Sequence, residues 1–238
     1  MIEYNAADGV ARITFNTPET HNRFTYQLML DFIAALEAAK ASGANVLVID
    51  AEGEDFTLGR DQKEVRTDIP RRDNLGLILK ANAALRAFPG VSIALVNGRA
   101  LGFGSGVSLH ATISLAAADA IFGFDEIRHG LAPLIVEAYL PHFIAPRTAL
   151  ELVITGREVG ALEAQRIGLV SRVVPKAALK EEGQALVEQV KANNAAALSL
   201  IVDFARELPG YPQPALGERA ADRLAEWIAA GKPVLPVS

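Results

Sequence analysis

An α/β fold is predicted by three features of the sequence. Two apolar runs of strand length, Asn45 to Ala51 (NVLVIDA) and Ser92 to Val96, suit strands covered on both faces. Segments with apolar residues at helical spacing lie between such runs. The stretch after Val96 then passes through Gly98, Gly102, Gly104 and Gly106 into a helix start. A strand that empties through glycines into a helix leaves N–H groups pointing into open space, with a helix dipole behind them that favours negative charge. Such a turn can hold an oxyanion.

Taken in order, Val10 to Phe15 (VARITF) alternates like a half-buried strand, and Asn16-Thr17-Pro18-Glu19 breaks it. Thr25 to Ala41 reads as a helix, with Leu28, Phe32, Ile33, Leu36 and Ala39 on one face, Thr25 as N-cap and Gly43 as C-cap. The strand Asn45 to Ala51 follows, so the chain starts β, α, β. Ala51 to Arg66 turns polar, and its segment Phe56 to Asp61 (FTLGRD) is placed where a second set of backbone donors could face the glycine turn. Charged Arg66 to Asp73, with Pro70, can bury little and is expected to be mobile. Asn74 to Phe88 is an amphipathic helix stopped by Pro89-Gly90. Beyond the glycine turn come two short apolar strands and the acidic pair Asp125-Glu126. Leu134 to Ile144, Pro146 to Thr155 and Ala161 to Ile167 read as helices, and Gly168 to Val174 as a last strand closed by Pro175. Three further helices follow from Lys176, separated by Asn193-Asn194 and by Pro209-Gly210-Tyr211-Pro212.

Length and composition bound the function. The 238 residues, half of them apolar, suffice for one domain with a large core and a small appendage. Without cysteine there is no disulfide, thiolate metal site or cysteine nucleophile. No basic segment leading into an apolar one opens the chain, and no apolar run approaches the roughly 20 residues that span a bilayer. A soluble, cytoplasmic protein is expected. The net charge of −5 argues against a general nucleic-acid binder, because phosphate binding needs a concentrated cationic surface.

Four stretches carry a resemblance. Asn16-Thr17-Pro18 with His21-Asn22-Arg23 is similar to an N-x-P exit followed by an R-N-A element. Phe56 to Asp61 is similar to an F-[SC]-x-G-x-D loop. Ala94 to Gly104 (ALVNGRALGFG) resembles A-x-[VI]-N-G-x-A-x-G-G-G, and Ala149 to Val174 resembles a helix-turn-helix-strand segment rich in matching residues. All four, in this order from Ile2 to Pro175, identify the chain as resembling the enoyl-CoA hydratase/isomerase (crotonase) superfamily. The resemblance implies a crotonase-type spiral of ββα units over residues 1–175 that binds acyl-CoA. Residues 176–238 would form a helical subdomain for oligomerisation, giving a homotrimer or homohexamer. No permanent cofactor and no metal are implied; coenzyme A enters as part of the thioester substrate.

The resemblance also implies roles. The thioester oxygen would sit between the amides of Arg60 and Phe103, which stabilise the enolate formed when a proton leaves or joins the α-carbon. Fixed donors at about 3 Å from a developing charge act without reorganising. Asn22 and Arg23 would lie near the adenosine of CoA, and Lys63 and Arg66 are candidates to meet its phosphates. Family hydratases use two glutamates. The second is present as Glu126, whereas the first falls on Gly106. Hydration needs two carboxylates around a water, but moving a double bond from C3 to C2 needs one base that takes a proton from C2 and returns it to C4. Isomerase chemistry with Glu126 is therefore expected, and the run Glu126 to Pro133 (EIRHGLAP) also resembles that of the family's isomerases.

Alternatives stay open. Glu137, which follows Pro133 where the family has a glycine cluster, is a candidate displaced second carboxylate, and Asp125 or His129 could serve a hydratase in its place. Other CoA-thioester chemistry, lyase or hydrolase, is possible on this fold. So is a silent acyl-CoA binder, motivated by the missing glutamate and by Phe103 at the middle glycine, whose backbone angle phenylalanine could tolerate poorly. Ser105 does not have the spacing of a nucleophile elbow. Phe24, Leu75, Ile78, Leu134 and Tyr139 are apolar candidates for the acyl pocket or for the core.

Overall fold

The computed structural model describes residues 1–207 and 213–230. The chain opens with a hairpin: β1 (Ile2–Ala7) runs antiparallel to β2 (Val10–Phe15) across Asp8-Gly9, both at positive φ. Strand β1 was not foreseen, because its alternating polar residues are mostly exposed and it sits at the sheet edge. There follow α1 (Tyr26–Ala41), β3 (Val46–Ala51), α2 (Arg71–Arg86), β4 (Val91–Val96), β5 (Arg99–Leu101), α3 (Phe103–His110), β6 (Ile113–Ala117) and β7 (Ile121–Gly123). A 3-10 turn at Asp125–His129 leads to α4 (Leu134–Tyr139), α5 (Pro146–Thr155), β8 (Val159–Gly160), α6 (Ala161–Ile167) and β9 (Arg172–Val174). The tail is α7 (Leu179–Lys191), α8 (Ala195–Glu207) and α9 (Gln213–Ala229).

Among the described residues, six strands form a sheet ordered β1-β2-β3-β4-β6-β9, parallel from β2 onward. A smaller sheet, β5-β7-β8, stands beside it. Every residue of β4 is buried, as its unbroken apolar run requires. Helices α3, α7 and α8 all pack on it. Gly183 of α7 approaches so closely that a Cβ there would lie 2.6 Å from Leu95 Cδ1.

The helix ends follow local chemistry. Thr25 caps α1 by accepting from Leu28 N at 3.2 Å, and Asn194 does the same for Ala197 N at 3.0 Å ahead of α8. Ser42 rather than Gly43 is the C-cap of α1, with Gly43 following at φ +73°. The helix expected over Leu134 to Ile144 is shorter. After Tyr139, Pro141 removes a backbone donor, and Leu140–His142 tightens into a 3-10 turn. Residues 209–212, expected to separate the last two helices, lie outside the described residues.

Candidate active site

The site forms where three loops meet at the start of α3. Its floor is a cluster of phenylalanines: Phe24, Phe32 and Phe103 pack edge to face, with Phe24 and Phe103 centroids 5.0 Å apart, and Phe15 and Phe56 join them. Phe103 therefore turns its ring into the core. Among the described residues, positive φ outside glycine occurs at Asp8, His21 and Asn22 and not at Phe103, so phenylalanine there is unstrained. The unusual angle falls one residue earlier, on Gly102, at φ +50°.

Two backbone donors are left free there. Phe103 N–H is at the first position of α3, where no intrahelical acceptor exists. The segment Thr57 to Arg60 is held between β5 and the chain at Phe24. Thr57 N donates to Arg99 O, Leu101 N to Thr57 O, Phe24 N to Gly59 O and Asp61 N to Phe24 O, at 2.8–3.0 Å. The Arg60 amide is skipped by this ladder and has no acceptor among the described residues. Close approach brings the two loops together: a Cβ on Gly59 would lie 2.7 Å from Leu101 O and 3.4 Å from Phe103 N, and one on Gly104 would lie 2.9 Å from Thr57 O.

Glu126, on the 3-10 turn after β7, reaches back over this helix start. A Cβ on Gly102 would lie 2.8 Å from its Oε1. Its Oε2 is buried with no hydrogen-bond partner among the described residues. Burial pushes its pKa above the ordinary carboxylate value; Asp125 nearby adds to the rise, while a backbone hydrogen bond and His129 oppose it. Asp125 and His129 are hydrogen-bonded to each other at 3.1 Å. Glu137 lies in the middle of α4, its Oε2 also buried without a partner. The space beside Gly106, the position the resemblance aligns with a first glutamate, is taken by Tyr139: a Cβ there would lie 2.9 Å from its Oη.

The remaining sequence candidates serve varied ends. Ser105 is buried and engages Ala100 O at 2.6 Å and both backbone groups of Gly123, so its hydroxyl is structural. Asn22 is buried at positive φ; its amide donates to Glu52 O and Asp55 O, and its oxygen accepts from Thr17 N. It ties the loops together with both of its donors engaged. Arg23 reaches Leu58 O at 3.4 Å, Lys63 is exposed, and Arg66 pairs with Asp68 while lying 4.5 Å over the Tyr26 ring. The Arg60 side chain bonds Asn74 Oδ1 at 2.7 Å, joining its loop to α2. Of the lining candidates, Phe24 belongs to the core, whereas Leu75 and Leu134 are exposed.

One supporting network had no sequence signature. Asp55, 2% exposed, accepts from the Arg99 guanidinium twice at 2.9 Å, from Arg99 N at 3.0 Å and from His21 at 2.7 Å. Burial alone would raise its pKa, but the bonds from Arg99 and His21 hold it below the ordinary value. Asp55→Ala is expected to cost about 2 kcal/mol at neutral pH, read by denaturant unfolding. Because the folded pKa is depressed, that contribution is present above the unfolded value near 3.8 and disappears as pH falls through the folded one. The wild type and the variant should therefore converge in acid.

Comparison with known proteins gives the family and the fold. The family model described as enoyl-CoA hydratase/isomerase matches residues 5–208. The chain belongs to the enoyl-CoA hydratase/isomerase family. A relative from Thermus thermophilus named as an enoyl-CoA hydratase is 29% identical over 208 residues, 84% of this chain and 82% of that one. A probable enoyl-CoA hydratase of Mycobacterium tuberculosis is 35% identical over 179 residues, 70% of this chain and 62% of that one. The crystal structure of an enoyl-CoA hydratase from Bacillus anthracis superimposes with a TM-score of 0.87 at 26% identity, covering 96% of this chain and 91% of that one. The fold is thus the crotonase type, and the chain is an enzyme of a family whose substrates are CoA thioesters. Among the described residues no helix is long and apolar enough to cross a membrane.

Proposed function

We propose that this family member shifts the double bond of a 3-enoyl-CoA to the conjugated 2-enoyl-CoA. The observation that carries the reading is a single buried carboxylate, Glu126, over the start of α3, with glycine and a phenol where a second carboxylate would stand. Glu126 takes a proton from C2, and the electron pair of that C–H bond passes into the thioester as an enolate. The free amides of Arg60 and Phe103 hold the enolate oxygen. Collapse of the enolate moves the double bond to C2–C3 as the carboxylic acid returns its proton to C4. No water enters the balance.

Lys63 and Arg66 follow the FTLGRD loop in the chain and in this reading meet the CoA phosphates, while Arg23, which reaches Leu58 O, lies near the adenosine. Arg66 then exchanges Asp68 for phosphate. Asn22 contributes indirectly, by fixing the turn that presents Arg23. Ile201 of α8 and Leu224 and Ile228 of α9 are exposed apolar residues that a homotrimer or homohexamer would cover.

A hydratase is the second reading, favoured by the names of the relatives and by the unpartnered carboxylate of Glu137. A silent binder fits less well. A buried carboxylate without a partner costs stability, and such a group is a mark of chemistry.

The test is an NMR time course in D2O with a 3-enoyl-CoA and, separately, the matching 2-enoyl-CoA. The isomerase reading expects conversion of the first to the second with no 3-hydroxyacyl product from either. Appearance of a 3-hydroxyacyl thioester would overturn it in favour of hydration, and no reaction with no deuterium at the α-carbon would favour the binder.

A further inference from the structure

Gly102, the N-cap of α3 at φ +50°, and Gly106 within the helix carry no side chain, and Gly106 N bonds Gly102 O at 3.1 Å. Over the first lies Glu126 Oε1 and over the second Tyr139 Oη, at 2.8 and 2.9 Å from the positions a Cβ would take. The phenol is close enough for the charge of Glu126 to act on it, so both groups face the glycine-lined start of α3. Glu126 Oε2 is buried with no hydrogen-bond partner among the described residues, Tyr139 Oη included. The Tyr139 ring is wedged against His110 and Phe143, with centroids 4.8 and 6.5 Å away, which fixes where its hydroxyl points.

We propose that Tyr139 is the positioning residue for the catalytic carboxylate, its hydroxyl donating to a water that in turn donates to Glu126. It occupies the place of the missing glutamate as a neutral donor. Burial, and then the charge of Glu126, push the phenol pKa above its ordinary value, so it keeps its proton and cannot compete as a base. Glu137, two residues earlier on α4, is about 200° around the helix from Tyr139 and points elsewhere. A carboxylate held in one orientation can serve C2 and C4 in turn without rotating.

The other ionisable groups around this pair are few. Asp125, Arg128 and His129 share the turn of Glu126, and Asp125 with His129 form their own pair. Glu151 at α5 is bonded to Arg157. His110 of α3 is pushed down to about 4, by burial and then by Arg86.

The proposal rests on Glu126 being the base, and its test includes a readout independent of turnover. The side-chain carboxyl of Glu126 is titrated by 13C NMR in wild type, Tyr139→Phe and Gly106→Ala, alongside pH profiles of kcat/KM. Tyr139→Phe removes the donor. Gly106→Ala, which favours the helix, displaces the donor by placing a methyl 2.9 Å from its oxygen. Loss of a donor to the charged form raises a carboxylate pKa, so both variants should titrate about one unit higher. Where 3-enoyl-CoA is turned over, the acid limb moves up with it and kcat falls about tenfold at little change in KM. A Glu126 midpoint unchanged in both variants overturns the proposal, whether or not the wild type isomerises a 3-enoyl-CoA.

Discussion

Replacing Glu126 by glutamine is expected to lower turnover about a thousandfold while leaving acyl-CoA affinity nearly intact. Glutamine preserves the shape of the side chain over Gly102 but cannot take a proton, and the free amides proposed to hold the thioester oxygen belong to other segments. Steady-state kinetics together with calorimetry separates the two effects, and retained turnover would remove Glu126 from the mechanism. A sign in pH accompanies this prediction. A general base works when ionised, so wild-type kcat/KM should fall as pH drops through the Glu126 pKa, which burial places above the ordinary 4.5. The same shift has a consequence for stability. A carboxylate whose folded pKa is raised binds its proton more tightly when folded, so its charge destabilises the fold above that pKa. Glu126→Gln should therefore melt at or above the wild-type temperature at neutral pH and lose that advantage in acid. An inactive variant that is no less stable is what a group retained for chemistry predicts.

Gly59→Ala is expected to cost about a hundredfold in kcat, with a smaller change in KM. Gly59 is at φ +76°, and its missing Cβ leaves room for Leu101 O, 2.7 Å from where that atom would be. The obstacle is backbone on both sides, so the loops can respond only by separating. That moves the Arg60 amide away from the Phe103 amide, and fixed donors lose most of their effect when displaced by about 1 Å. Gly43→Ala is the control. It has the same left-handed conformation, φ +73°, but nothing within 4 Å of its Cβ. It should cost about 1 kcal/mol of stability and leave kcat unchanged. Equal kinetic effects of the two substitutions would show that strain, and not donor geometry, is responsible.

Much of this was legible in the chain, for identifiable reasons. Apolar periodicity and end signals marked α1, α5 and α6, because a helix declares its buried face every third or fourth residue. The unbroken apolar runs announced β3 and β4 as strands covered on both faces. The glycine turn before α3 and the acidic pair at Asp125-Glu126 marked the two ends of the site, since a bare helix start and an isolated acid both have local signatures. Phe103 was harder to read. A bulky residue in a glycine run suggests strain, and the structure removes it by giving the positive φ to Gly102 and the ring to the phenylalanine cluster.

The sequence by itself determined the order of the helices and of the strands other than β1, β5 and β8, the donors at the start of α3 and a candidate base in Glu126. Each of these depends on residues close together in the chain, where spacing maps directly onto geometry. Only the tertiary structure decided what faces what: that Gly59 abuts Leu101, that Asp55 clamps Arg99 and His21, and that Tyr139 fills the space beside Gly106. Tyr139 reads in the chain as an apolar lining residue, because a hydroxyl at the tip of an aromatic ring carries no periodic signal. Its position comes from where α4 ends after the turn at Asp125–His129, and that is set by packing between elements whose contacts no local pattern encodes.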